Sequence, residues 1–101
     1  MYLPASDIKK IRQLMRNKPV HKVYLFGSYA RGQATHNSDI DLLVEFDYAK
    51  LNKEYDYFDI KFEVEDYLQK KVDLVSAKML PASKIAPFVE HDKILIYENT
   101  Y

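Results

Sequence analysis

At 101 residues the chain can bury one core but is too short for a catalytic domain plus a separate substrate domain, so a single domain over residues 1–101 is expected. Fifteen Lys and Arg against fifteen Asp and Glu give a formal net charge of zero, which removes any bulk attraction to nucleic acid or membrane; direct nucleic-acid binding is not expected, and any charge-based function must be local. The absence of cysteine excludes a disulfide framework and a thiolate zinc site. The lack of both a leader-like start in "MYLPASDIKK" and an apolar run near the roughly 20 residues that span a bilayer makes the cytoplasm the expected location.

Taken in chain order, Ser6-Asp7 followed by Ile8, Ile11, Leu14 and Met15 reads as a capped amphipathic helix that Pro19 prevents from continuing. "VHKVYLF" (Val20 to Phe26) is β-branched and aromatic and stops at Gly27, as a strand entering a turn would. Residues 28–34 then read as a short helix opening at Ser28. "DIDLLVEF" (Asp39 to Phe46) reads as a second strand, with Ile40, Leu42, Val44 and Phe46 on one face and Asp39, Asp41, Leu43 and Glu45 on the other.

"YFDIKFEVEDYLQKK" carries two periods. Phe58, Ile60, Phe62 and Val64 alternate with charged residues, as in a strand; Tyr57, Ile60, Val64, Tyr67 and Leu68 form a stripe at three-to-four spacing, and the length favours a helix, which is the reading adopted. "KVDLVS" (Lys71 to Ser76) reads as a short strand, "SKIAPFVEHD" as a helical segment broken around Pro87, and "KILIYE" as a closing strand. Tyr24, Tyr57 and Tyr67 fall at core positions; the scattered His21, His36 and His91 read as solvated. The whole is an α/β (α+β) chain, a small mixed sheet with helices packed on it.

Both glycines of the chain lie within "FGSYARGQATHNSDIDLLV". A glycine directly after a strand permits a tight turn and close approach of a ligand, and a serine there can cap the next helix while offering its hydroxyl. The first N–H groups of that helix suit a phosphate, although a plain strand-to-helix turn reads equally, and neither the Walker A nor the G-x-G-x-x-G spacing is present. Asp39 and Asp41, at i and i+2 on a strand, project from one face roughly 6–7 Å apart. They describe either a solvated edge or a ligand pair for a hard cation such as Mg²⁺. Ser38 can stabilise the turn or touch phosphate. Lys70 and Lys71 can attract a nucleotide or balance a helix end.

Gly27-Ser28, ten intervening residues, then Asp39-x-Asp41 heading an apolar strand resembles the signature of the DNA polymerase β-like nucleotidyltransferase superfamily. The fuller "GSYARGQATHNSDIDLLV" is similar to its minimal nucleotidyltransferases (MNT), many of which are antitoxins paired with HEPN-domain toxins. The resemblance implies the nucleotidyltransferase fold over the whole chain and a third carboxylate on a later strand. Asp73 in "KVDLV" fits that place, since Lys71, Asp73 and Val75 share a face.

It further implies attack of an acceptor hydroxyl on the α-phosphate of ATP or another nucleoside triphosphate, assisted by two Mg²⁺ ions. Asp39, Asp41 and Asp73 would be metal ligands and catalytic groups, with Asp73 either ligand or general base. Gly27 and Ser28 would hold the β- and γ-phosphates, Ser38 would join them if it touches phosphate rather than only its turn, and Arg31 reads either as a bidentate partner of the triphosphate or as a solvated helix residue or partner contact. The implied acceptor is a tyrosine of a HEPN-type toxin, modified with AMP. Two competing expectations are an antitoxin that neutralises its partner by binding alone and a stand-alone nucleotide sensor.

Overall fold

The computed structural model describes residues 1–51 and 57–99. Helix α1 (Ala5–Met15) begins ahead of the expected cap: Pro4 is its N-cap, the Pro4 carbonyl accepts hydrogen bonds from the N–H groups of Asp7 (3.0 Å) and Ile8 (3.1 Å), and no side chain caps it. Ser6 therefore lies inside the first turn, because the fixed φ of Pro4 already sets the chain direction there. Strand β1 (Val20–Phe26) has the expected bounds, between Pro19 and Gly27.

Helix α2 (Ser28–Arg31) is shorter than the expected 28–34. It stops at Gly32, which takes a left-handed conformation (φ 75°) and donates its N–H to the Ser28 carbonyl. The N-terminus pins this end: the Met1 ammonium donates to the carbonyls of Gly32 (2.8 Å) and Ala34 (2.9 Å), and the Tyr2 ring occupies the place of any Gly32 Cβ, 2.5 Å from it.

Strand β2 (Ile40–Phe46) is followed by helix α3 (Tyr57–Leu68), which resolves the two competing periods. Ile60, Val64 and Leu68 point into the core, while Phe58 and Phe62, in phase with them only as a strand, stand exposed. Tyr67 corrects its expected core placement: it is 46 % exposed, one residue off the buried stripe, with the Lys10 ammonium over its ring.

After strand β3 (Val72–Ser76) come a 3-10 turn (Leu80–Ala82), helix α4 (Ala86–Asp92) and strand β4 (Ile94–Glu98). Pro87 does not break α4 but sits in its first turn, where a missing N–H costs no hydrogen bond.

The four strands form a mixed sheet in the order β3-β2-β1-β4; β1 is antiparallel to both neighbours and β2 and β3 run parallel. One face carries Val23, Leu25, Ile40, Leu42, Val44, Phe46, Val72, Leu74 and Ile96 and packs against Ile11 and Met15 of α1 and Ile60, Val64 and Leu68 of α3. Two ion pairs tie α1 and its flank to α3 and its end, Lys18 to Glu63 at 2.9 Å and Asp7 to Lys70 at 2.6 Å. The opposite face holds a smaller apolar cluster, Phe26 and Leu43 under Leu80 and Val89. Residues 41, 73 and 45 of the strands share that second face.

Candidate active site

Strand parity assembles the site. In the parallel pairing of β2 and β3 Asp41 stands directly opposite Asp73, and in the antiparallel pairing of β1 and β2 it stands opposite Phe26, the residue before Gly27. Side chains of such partners lie on the same side of the sheet, so Asp41 and Asp73 are cross-strand neighbours. Asp39 is not in the strand as expected. It immediately precedes β2, exposed to solvent, where the Ile40 N–H bonds the Lys71 carbonyl at 2.9 Å.

Gly27 is fitted to this corner twice over. Its backbone (φ 74°, ψ −156°) lies in a region that side-chain-bearing residues scarcely enter. A Cβ there would lie 2.1 Å from Asp41 Oδ2. The carboxylate is thus seated against the bare backbone of the turn. Ser28 is the first helical residue; the N-cap is Gly27, and no side chain caps α2, so the expected serine cap is not formed.

The electrostatics are those of crowded like charges. Asp41 is half-buried, and its carboxyl is pushed up from 3.8 to about 6 by burial first, then by Asp73 and Asp39, with Arg31 pulling the other way. Burial and the Asp73 charge also raise the Tyr57 hydroxyl, which donates to the Leu74 carbonyl. The donor set is all oxygen and net anionic, which suits a hard divalent cation such as Mg²⁺. Among the described residues no three His, Cys, Asp or Glu side chains are already gathered tightly enough to hold an ion.

The remaining expected residues are placed as follows. Arg31 is half-exposed and occupied: its Nε donates to Gln33 Oε1 (3.1 Å) and its Nη1 to Asp92 Oδ2 (2.5 Å). Ser38 stabilises its turn, Oγ accepting from the Thr35 N–H at 2.8 Å. His36, Ser38 and Asp39 line a cleft of about 580 Å³ with Tyr29, Asn37, Gln69, Lys70, Lys71 and Met1; it adjoins Asp39 rather than Asp41. Lys70 is committed to Asp7, while Lys71 is exposed. Gln69 has a left-handed backbone (φ 54°) that ends α3 beside this cleft. His21 and His91 are solvated as expected.

Sequence reasoning missed Asp92. It is 61 residues from Arg31 in the chain, so no local spacing links the two. The only available signal was its place in the last turn of a helix rich in polar residues.

Comparison with known proteins bears on the family and the fold. The family model described as "Polymerase beta, Nucleotidyltransferase" matches residues 9–101. A candidate protein adenylyltransferase of Methanocaldococcus jannaschii is 37 % identical over 100 residues, covering 90 % of this chain and 96 % of that protein. A toxin-antitoxin crystal structure with AMP-PNP superposes with a TM-score of 0.70 at 26 % identity, over 92 % of this chain and 74 % of its own. A structure of an MNT antitoxin with the tri-AMPylated HEPN toxin of Shewanella oneidensis has the same fold, with a TM-score of 0.64 at 21 % identity over 93 % and 71 % of the two chains. No helix among the described residues is long and apolar enough to cross a membrane.

Proposed function

Since the chain belongs to the polymerase β nucleotidyltransferase family, we propose that it transfers AMP from ATP to a tyrosine hydroxyl of a HEPN-type toxin and so acts as an antitoxin. The observation that carries this reading is the pairing of Asp41 with Asp73 across β2 and β3, with Asp39 at the head of β2 and Gly27 giving way to the Asp41 carboxylate. Similarity to a protein named as an adenylyltransferase supports AMP as the transferred group. The toxin complexes among the fold neighbours support the partner. The same reading takes residues 1–101 as one minimal domain.

Asp39, Asp41 and Asp73 would hold Mg²⁺, two ions in all. When bound, Mg²⁺ neutralises phosphate oxygens and eases ionisation of an acceptor hydroxyl. Gly27 and Ser28 contact the β- and γ-phosphates through backbone N–H groups and the Ser28 hydroxyl. Arg31, half-exposed on α2, adds a guanidinium to the triphosphate, and Ser38 keeps the loop before Asp39 in shape. Asp73 serves as a further ligand or as the base that takes the tyrosine proton. The tyrosine oxygen bonds to the α-phosphorus, the bond to the bridging oxygen breaks, and pyrophosphate leaves. A bulky anion on the toxin then blocks its active surface by charge and volume.

The test is intact-mass spectrometry of the candidate toxin after incubation with the purified chain, Mg²⁺ and each nucleoside triphosphate in turn. An added AMP mass from ATP, with loss of toxin RNase activity, is the expected result. A toxin silenced equally well without nucleotide would establish the non-catalytic antitoxin instead.

A further inference from the structure

The guanidinium of Arg31 is held on two sides and open on the third. An arginine offers five N–H donors; Nε–H goes to Gln33 and one Nη1–H to Asp92, which leaves three without a partner among the described residues. Asp92 is itself fixed. Its side chain is only 9 % exposed, one oxygen takes the Arg31 donor, and the other lies 3.1 Å from His91 Nδ1. Hydrogen bonds from His91 and Arg31 hold its carboxyl below the usual range, so it stays ionised.

Asp92 closes α4, whose Val89 packs on the second face of the sheet over Phe26 and Leu43, so the anchor for Arg31 belongs to the rigid body that carries Asp41.

We propose that Asp92 is a positioning residue for nucleotide transfer: it holds the Arg31 guanidinium in place on α2, three residues after Ser28, with its unpaired N–H donors turned to the triphosphate. This rests on the reading of Arg31 as a phosphate contact. Three N–H groups remain available with the pair intact, so phosphate need not displace Asp92. Asp92 therefore assists binding and does not compete with it. Preorganisation of this kind removes the rotamer freedom that a half-exposed arginine would otherwise lose on binding.

The experiment is a double-mutant cycle on AMP-PNP affinity, measured by calorimetry with Mg²⁺ present, with thermal unfolding of every variant as control. Asp92→Ala is expected to weaken AMP-PNP about 10-fold, the scale on which partners that orient a binding group act. It should weaken binding no further in an Arg31→Ala background. In transfer assays the same change should raise the KM for ATP with kcat nearly unchanged. Asp92→Asn, which keeps an acceptor oxygen, should fall between wild type and Asp92→Ala, and it carries the test should Asp92→Ala fold poorly.

Unchanged or tighter binding by Asp92→Ala overturns the proposal, as does an equal loss in both backgrounds, which a merely structural role of α4 would give. Arg31→Ala binding like wild type overturns it too, while leaving the nucleotide site intact. Failure of the wild-type chain to bind AMP-PNP at all removes the underlying reading, and this proposal with it.

Discussion

The two faces of the sheet differ in what they bury. Beneath α1 and α3 the strands present an unbroken run of Val, Leu, Ile and Phe, with Ile11, Met15, Ile40, Leu42, Val44, Ile60 and Val64 essentially inaccessible. Under α4 and the 3-10 turn a smaller cluster is buried among the described residues, Phe26, Leu43, Leu80 and Val89 with Tyr24 and Val75 partly buried against it, and the same face carries Asp41, Asp73 and Glu45. The first face supplies the hydrophobic driving force. The second gives up part of it to place Asp73 and Asp39 around Asp41, whose carboxyl burial and those two charges raise to about 6.

That contrast can be broken from either side, and the largest effect is expected on the packed face. Ile60→Ala should destabilise by about 2–5 kcal/mol in denaturant unfolding while leaving transfer per folded molecule close to wild type. Gly27→Ala should cost about 1–3 kcal/mol through its backbone conformation alone. Because the new Cβ would strike Asp41 Oδ2, it should also abolish most transfer activity, which separates it from Ile60→Ala.

On the second face a charge-removing change should instead stabilise. With its pKa raised from 3.8 to about 6, folded Asp41 binds more protons than unfolded Asp41 between those values, so its contribution to stability falls as pH rises from about 4 to about 6 and then stays constant. Without divalent cation, Asp41→Asn should therefore be more stable than wild type at pH 7, by about 1 kcal/mol after allowing for solvent screening of a half-exposed group. The advantage should vanish near pH 4, which thermal melts across that range can follow. Ser28→Ala should have the smallest effect, a few-fold rise in the KM for ATP with stability unchanged, since its hydroxyl caps nothing in the fold.

Much of the second face was legible because parity along a strand is a strict rule. Asp41 and Asp73 shared a face in the sequence pattern, and only the adjacency of β2 and β3 had to come from the fold. β1 was legible in full, since Pro19 and Gly27 bound it chemically. The errors cluster at helix ends. Ser6 and Pro87 are locally ambiguous residues whose roles were set by Pro4 upstream and by the start of α4 at Ala86. Tyr67, three residues after Val64, lies on the helical face but at the margin of the stripe that Ile60, Val64 and Leu68 bury, where it stands exposed under the Lys10 ammonium. The Arg31–Asp92 pair joins residues that only tertiary structure brings together.

The measurement that bears most directly on a catalytic second face is the rate of AMP transfer by the Asp39→Asn, Asp41→Asn double variant relative to wild type, with folding checked by thermal unfolding. Replacing two carboxylates by amides of nearly equal size should leave the α1 and α3 core undisturbed and the chain folded. Transfer should fall by at least about 1000-fold, on the scale expected when the charges that hold a catalytic cation are lost. A folded double variant that still adds AMP at a rate near wild type would contradict a catalytic role for this face.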